Sequence, residues 1–146
     1  MSTRTDVATT RFLSGYNCAQ AVLDTFRNET GLDEDLALKI ATGLGAGMGR
    51  KQEVCGAVTG GILVLGLRHG RGSRDDQAVA GATYARVREL MDRFAAKHGT
   101  CLCRELLSGY NLATEEGLRR AKADDMLNKV CRPCVQSIVE ILEQMK

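Results

Sequence analysis

Apolar residues recur every three or four positions along most of the chain, and this spacing is typical of amphipathic α-helices. The pattern around Val7 predicts a first helix that ends near Ser14-Gly15. A second helix is predicted to begin at Asn17, because Asn17 and Gln20 have the spacing of a capping box. This second helix should stop before Gly31.

A third predicted helix and a glycine run occupy the next segment. The helix should begin around Asp33, and its apolar face is predicted to hold Leu36, Ile40 and Leu44. The run GLGAGMG, residues 43–49, lacks the G-x-G-x-x-G pattern and a P-loop lysine, and no strand pattern precedes it. It therefore predicts a helix end and a tight turn, not a nucleotide-binding loop.

The stretch EVCGAVTGGILVLGLRHG, residues 53–70, combines helical spacing with glycine at positions 56, 60, 61 and 66. Each glycine inside a helix costs about 1 kcal/mol relative to alanine. Close approach of another backbone or of a cofactor would justify that cost. We therefore predict that this helix is central and tightly packed.

The rest of the chain also has the pattern of helices. A long helix is predicted from about Arg74 to Lys97, and a short one from Leu102 to Leu107. From Thr114 onwards one long helix or two are expected, with Pro133 interrupting the segment or opening its second half. One proline, no tryptophan and few aromatic residues suit a helical protein. The expected fold is all-α, a single-domain multi-helix bundle over residues 1–146 with a central glycine-rich helix.

The net charge and the lengths of the apolar runs argue against nucleic-acid binding and against a membrane span. The net charge of +2 is too small to argue for a nucleic-acid partner. The N-terminus lacks the apolar core of a signal peptide, and the longest apolar run, residues 54–67, is shorter than the roughly 20 residues of a membrane span. We expect a cytoplasmic protein with no membrane span. Its long amphipathic helices are also compatible with a homodimer.

The chain has six cysteines, and the reducing cytoplasm makes a disulfide framework an unexpected role for them. They are then buried apolar fillers, metal ligands or redox groups. Each lies at or beside a predicted helix N-terminus, where partial positive charge and unpaired N–H groups favour thiolate. Thiolate is both the nucleophile and the metal ligand, so this placement favours a functional cluster. The six are Cys18, Cys55, Cys101, Cys103, Cys131 and Cys134.

Residues 130–134, VCRPC, have the C-x-x-C layout of a thioredoxin-type dithiol. That fold needs a strand just before the motif, and the preceding residues have a helical pattern. A thioredoxin fold is therefore not expected, although Cys131 and Cys134 can form a redox pair on another scaffold. His69 and His98 are not at ligand spacing from any cysteine, and we expect both on the surface near helix ends.

These motifs together resemble the C-GCAxxG-C-C family, which is described as redox-active. The resemblance covers nearly the whole chain, and its central motif is the Cys-Gly-Ala-x-x-Gly order of residues 55–60. The domain is also similar to part of the split-Soret cytochromes, which implies an iron–sulfur cluster as the occupant. The haem motifs of those cytochromes are absent from this sequence. The resemblance implies four signature cysteines, with Cys101 and Cys134 as additions; the four are Cys18, Cys55, Cys103 and Cys131.

The first hypothesis is an electron-transfer protein with an iron–sulfur cluster on the four signature cysteines. Cluster potential would be tuned by burial and by helix N–H groups. The small residues Gly56, Ala57 and Gly60 would let helices close around the cluster. Such a protein would exchange electrons with a redox partner protein, which the sequence does not identify.

Two alternatives stay open from the sequence. One is a metal-free thiol–disulfide oxidoreductase or redox sensor that uses the pairs Cys131/Cys134 and Cys101/Cys103, each beside an arginine that favours thiolate. The other is a helical module with a structural zinc ion. Zinc ligands usually come as close C-x₂₋₄-C pairs, and only one such pair occurs here. No hydrolase signature is present, so the sequence does not decide whether the protein is an enzyme.

Overall fold

The computed structural model describes residues 3–146, and these form eight α-helices. Short 3₁₀ turns lie at Arg27–Glu29 and Thr42–Leu44, and a π-helical turn lies at Leu127–Cys131. Within residues 3–146 there is no β-strand, only an isolated antiparallel bridge between Val54 and Leu102. The all-α prediction is confirmed. The helices are α1 (Arg4–Leu13), α2 (Cys18–Phe26), α3 (Glu34–Ala41), α4 (Gly56–His69), α5 (Ala78–His98), α6 (Cys103–Leu106), α7 (Glu115–Ala123) and α8 (Arg132–Gln144).

Side-chain caps determine where α2 and α3 begin. The N–H of Asn17 donates to Oε1 of Gln20, and the N–H of Gln20 donates to Oδ1 of Asn17, both at 2.9 Å. The predicted capping box is therefore present. At α3, the N–H of Leu36 donates to the Asp33 carboxylate at 3.1 Å. Each cap satisfies an N–H group that the helix itself leaves unpaired.

The last third of the chain forms two helices, α7 and α8. Pro133 lies in the first turn of α8, as the sequence suggested. The π-helical turn runs directly into α8, because the N–H of Arg132 donates to the carbonyl of Leu127. The amides at the start of α8 therefore belong to a continuous helical segment. This helix start is not a free N-terminus.

The glycine-rich helix α4 is central, packing against α2, α5 and α8. A Cβ at Gly60 would lie 2.9 Å from both Cα and the carbonyl oxygen of Ala19 in α2. A Cβ at Gly61 would lie 2.9 Å from Leu90 and 3.0 Å from Ile138. The prediction of close backbone approach is thus confirmed at Gly60. Nothing lies within 4 Å of a Cβ at Gly66, and no contact explains that glycine.

Two clusters of buried side chains make up the core. The larger one joins the central helices and includes Phe26, Leu65 and Phe94. The smaller one joins α6, α7 and the loop between them through Leu107 and Leu112. None of the helices in residues 3–146 combines the length and the apolar character that crossing a membrane would require.

The glycine run forms a left-handed turn. Residues 46–50 all have positive φ angles, between 52° and 70°. This conformation costs a residue with a side chain roughly 1–2 kcal/mol. Gly47 is required, because a Cβ there would lie 2.5 Å from Cα of Gln52. The N–H of Gly49 donates to Gly43 and that of Glu53 to Gly47, both at 2.9 Å, so the predicted tight turn is present and hydrogen-bonded.

Part of the apolar face of α3 is exposed. Leu36 and Ile40 are 48% and 49% exposed. Ile40 lines an apolar surface groove together with Leu32 and Leu67. Helical spacing therefore identified the apolar stripe of α3, but part of that stripe faces a groove and not the core.

The two histidines lie at helix ends, as predicted, and each keeps part of its surface exposed. His69 ends α4 and His98 ends α5, and both are half-buried. Nε2 of His98 lies 2.7 Å from Oγ of Ser137, and its ring stacks on Phe94 with centroids 4.5 Å apart. Burial lowers the pKa of both imidazoles.

The substitution Gly60→Ala tests whether α4 packs directly against the backbone of α2. The added Cβ would overlap the backbone of Ala19, and overpacking of this kind destabilises a protein by about 1–3 kcal/mol. We expect Gly60→Ala to lower the free energy of unfolding by about 2 kcal/mol in urea denaturation. Gly81→Ala is the matched control, because a Cβ on this exposed part of α5 has nothing within 4 Å. The control should raise stability by up to about 1 kcal/mol, and equal effects of the two variants would contradict the packing account.

Candidate functional site

Five of the six cysteines line one partly enclosed cavity of about 70 Å³, which we call the cysteine cavity. Four leucines, Val130 and Ala46 complete its walls, together with the backbone of Gly56. The thiols therefore face an otherwise apolar space. The five are Cys18, Cys55, Cys103, Cys131 and Cys134.

Cys18 and Cys55 meet because α2 and α4 pack closely near their N-terminal ends. Cys18 is the first residue of α2, and Cys55 is the N-cap residue of α4. A Cβ at Gly56 would lie 3.2 Å from Cβ of Cys18. The next helical turn of α4 places Gly60 against the α2 backbone, as described above. Glycine at both positions thus allows two thiols that are 37 positions apart to share one cavity.

Backbone hydrogen bonds place Cys103 beside Cys55. The N–H of Cys55 donates to the carbonyl of Cys101, and the N–H of Cys103 donates to the carbonyl of Glu53, both at 2.7 Å. These bonds flank the bridge between Val54 and Leu102. The start of α6 is thereby attached to the segment that leads into α4.

The segment from the π-helical turn into α8 supplies the other two thiols. Leu127, Val130, Cys131 and Cys134 all line the cavity. Their spacing of three, four and seven residues from Leu127 is that of one helix face. Because this segment is continuous, its amides are already paired, and the helix-terminus argument for thiolate does not apply to Cys131 and Cys134.

Cys55 is the cavity thiol whose surroundings favour the thiolate most clearly. A hydrogen bond from the Cys134 thiol lowers the pKa of Cys55, against the opposing effect of burial. The nearby amides of Ala57 and Val58 also lower this pKa, although neither forms a regular capping hydrogen bond with the sulfur. The same contact raises the pKa of Cys134, and burial adds to it.

The surroundings of Cys18 and Cys103 favour the protonated form. The contact with Cys131 raises the pKa of Cys18, and burial raises it further. Burial and the neighbouring Cys55 raise the pKa of Cys103 to about 12. The prediction that helix N-termini would favour thiolate at every cysteine is therefore wrong, because contacts with other thiols and burial raise the pKa of Cys18 and Cys134, and burial raises that of Cys103.

Cys101 lies outside the cavity. Its thiol donates to the carbonyl of Met91 at 3.4 Å, and its side chain is half-buried. Although Cys101 and Cys103 are close in sequence, the bridge at Leu102 directs them to different surroundings. The structure therefore does not bring this predicted redox pair together.

Among residues 3–146, no three side chains of His, Cys, Asp or Glu are already arranged to hold a single metal ion. The predicted close-packing residues Gly56, Ala57 and Gly60 are all buried in the first turns of α4. Of these three, Gly56 lines the cavity directly.

Gln52 is a structural residue of the site that the sequence analysis missed. Its side chain is buried; Nε2 donates to the carbonyl of Tyr110 at 2.9 Å, and Oε1 accepts from the N–H of Leu112 at 3.0 Å. These bonds hold the loop that carries Leu112 against the cavity. Gln52 also opposes the raised pKa of Cys103 by hydrogen bonding. A single polar residue between a glycine run and a cysteine offers no periodic signal by which to find it.

The raised pKa of Cys103 predicts how stability depends on pH. The folded-state pKa of about 12 exceeds the ordinary value of 9.0, so between these values the folded protein holds a proton that the unfolded chain releases. This contribution to stability is fully present below about pH 9 and is lost as the pH rises through about 12. We expect the reduced, metal-free protein to lose stability over this range in urea denaturation. Cys103→Ser should make the slope shallower by up to about 1.4 kcal/mol per pH unit, and an unchanged slope would contradict the assignment.

Comparison with known proteins places the chain in a family. A family model described as "Putative redox-active protein (C_GCAxxG_C_C)" matches residues 16–145. All five cavity cysteines lie within that range. Neither the curated proteins nor the solved structures contain a match to the chain. Since the family match leaves out only the first 15 residues and the last one, the chain belongs to the C_GCAxxG_C_C family of redox-active proteins.

Proposed function

We propose that the cysteine cavity holds an iron–sulfur cluster and that the protein carries electrons. The observation that supports this proposal most is the convergence of five thiols on one apolar cavity. Iron–sulfur clusters are held by cysteine thiolates, most often four. The proposed ligands are Cys18, Cys55, Cys103 and Cys131.

The size and the walls of the cavity fit such a group. A cavity needs a volume of roughly 10–15 Å³ to hold one water molecule. The cysteine cavity, with about 70 Å³, therefore has room for a group of several atoms. The leucine side chains limit the access of water, and burial of this kind tunes a cluster's potential. A zinc ion on four thiolates would be tetrahedral and redox-silent, so the redox description of the family favours a cluster over zinc.

Each thiol must lose its proton to bind iron, and the proposed ligands differ in how readily they do so. Cys55 loses its proton most readily, because its neighbours lower its pKa. Cys18 and Cys103 hold their protons, which binding would release to solvent. When bound, such a cluster accepts and releases one electron at a time. The amides of Ala57 and Val58 would stabilise negative charge on the Cys55 sulfur.

An electron carrier needs a partner, and we expect a redox partner protein in the cytoplasm. The net charge of +2 gives no support to a nucleic-acid partner. A homodimer stays a prediction of the amphipathic helices.

The alternative is a metal-free thiol–disulfide oxidoreductase or redox sensor. Cys131 and Cys134 both line the cavity, which keeps that pair available. Cys101 lies outside the cavity, so the pair Cys101/Cys103 is not assembled. The raised pKa values of Cys103 and Cys134 also work against a nucleophilic thiolate at neutral pH. These features make the alternative weaker than the cluster.

Metal and sulfide analysis tests the proposal. We expect protein prepared without oxygen to contain iron and inorganic sulfide in near-equal amounts, and its visible absorption to bleach on addition of dithionite. Zinc should be absent from the same sample. A colourless protein without iron after anaerobic reconstitution would contradict the proposal, and stoichiometric zinc would favour the structural module.

Serine substitutions test the ligand assignment. Replacing any one of the proposed ligands should weaken cluster binding by about tenfold or more, because one thiolate is lost. Cys101→Ser is the matched control: its thiol is bonded to Met91 outside the cavity, and the variant should bind as much iron as the wild type. Iron content after gel filtration is the measurement. Loss of iron in the control to the same extent would show that the effect is not specific to the cavity.

A further inference from the structure

An apolar surface groove with a volume of about 410 Å³ is walled mainly by α3 and α4. Residues 3–146 contain seven exposed large apolar side chains, and three of them lie at this place: Leu36, Ile40 and Leu67. Ile40 and Leu67 line the groove itself, and Leu36 lies one helical turn before Ile40. Single apolar residues on a surface are ordinary, but a groove and three exposed side chains together indicate an interaction site. The other side chains of the groove are Leu23, Leu32, Ile62 and Leu63.

The walls of this groove offer no polar group to a small ligand. All the side chains that line it are aliphatic, and Gly66 leaves open space, with nothing within 4 Å of the position of its Cβ. Pockets for small molecules carry a few polar groups that fix the orientation of the ligand. A wholly apolar groove instead suits the centre of a protein–protein contact, where the polar groups lie at the rim.

The rim of the groove carries one acidic and one basic side chain of α3. Asp35 directly precedes Leu36 in the sequence, and each residue advances a helix by about 100°. Lys39 precedes Ile40 in the same way, so the two charges border the exposed apolar stripe. Nζ of Lys39 lies 3.2 Å from the Asp35 carboxylate, and the two side chains are 74% and 76% exposed. An ion pair this exposed contributes little to stability, so both charges can also bind a partner.

We propose that the exposed stripe of α3 and the adjoining groove form the interface of a homodimer, in which the α3 helices of two copies pack antiparallel about a two-fold axis. The axis places Asp35 of each copy beside Lys39 of the other, so the contact occurs twice. Four charges of alternating sign then border two facing apolar stripes. The partner that fits this rim must present its charges in the reverse order, and an antiparallel copy of α3 does so.

Burial of apolar surface stabilises this dimer, and the charges determine its orientation. Leu36, Ile40 and Leu67 are between 38% and 49% exposed in the single chain, and packing of the two copies removes this surface from water. Parallel packing would bring each Asp35 against its own counterpart, and juxtaposed like charges repel. None of these residues lines the cysteine cavity, so the dimer is independent of the proposed function.

Sedimentation equilibrium of the full chain, kept reduced and measured over a range of concentrations, tests the dimer. We expect twice the mass of one chain. Leu36→Glu should raise the dissociation constant about tenfold or more, because it buries a charge among apolar side chains. Tyr84→Glu is the matched control: Tyr84 is 64% exposed on α5, and this variant should dimerise like the wild type. A monomeric wild type, or equal weakening by the two variants, would overturn the proposal.

Charge reversal tests the antiparallel order. Asp35→Lys leaves two lysine side chains at the rim, and Lys39→Asp leaves two carboxylates. Each variant alone should dimerise about tenfold more weakly or worse, because like charges meet across the axis. An equimolar mixture of the two should form a heterodimer, since every ammonium group then meets a carboxylate. Native mass spectrometry identifies this heterodimer, because the two chains differ in mass.

The mixture also controls for misfolding, because a variant that fails to fold could not associate with the other. A mixture that stays monomeric, or single variants that dimerise like the wild type, would overturn the antiparallel contact. A wild-type chain whose native mass includes a bound lipid and no second copy would overturn the dimer and assign the groove to a small apolar ligand.

Discussion

The backbone contact between Gly60 and Ala19 is the constraint on which the cysteine cavity depends. Because Gly60 has no Cβ, α4 lies directly against the backbone of α2, and the N-terminal ends of the two helices meet. Cys18 and Cys55 lie at those ends. Helix packing therefore determines the separation of two sulfur atoms. The hydrogen bonds at the bridge to Leu102 then add Cys103 to the same space.

Burial and contacts between thiols set the chemistry of this site more than helix termini do. They raise the pKa of Cys18 and Cys134 and bring that of Cys103 to about 12, whereas the pKa of Cys55 is lowered. The left-handed turn at residues 46–50 adds backbone strain beside the cavity, since Ala46 lines it. Strain of this kind persists only where the surrounding structure imposes it, and it concentrates at functional sites. Gln52 is part of this surrounding structure, because its side chain hydrogen-bonds the loop at Tyr110 and Leu112.

Local signals in the sequence predicted much of the fold. The Asn17 capping box, the position of Pro133 and the spacing of apolar residues placed the helices, because each depends on near neighbours in the chain. The glycines of α4 indicated close packing, but the sequence could not identify which helix approaches. The π-helical turn and the hydrogen bonds of the buried Gln52 side chain depend on tertiary contacts. Neither produces a periodic pattern in the sequence from which it could be predicted. The sequence likewise could not separate the roles of Cys101 and Cys134, since each lies close to a signature cysteine, Cys103 or Cys131. Only the fold shows that Cys134 lies inside the cavity and Cys101 outside it.

The proposed function requires the convergent thiols to bind a single iron–sulfur cluster. An X-ray absorption spectrum at the iron edge, on protein prepared without oxygen, is the decisive measurement because it reports the atoms around iron. We expect iron surrounded by sulfur alone, with a second shell of neighbouring iron atoms, and a loss of this signal in Cys55→Ser. Iron bound mainly by oxygen or nitrogen, or sulfur-bound iron with no neighbouring iron, would show that the thiols do not bind a cluster.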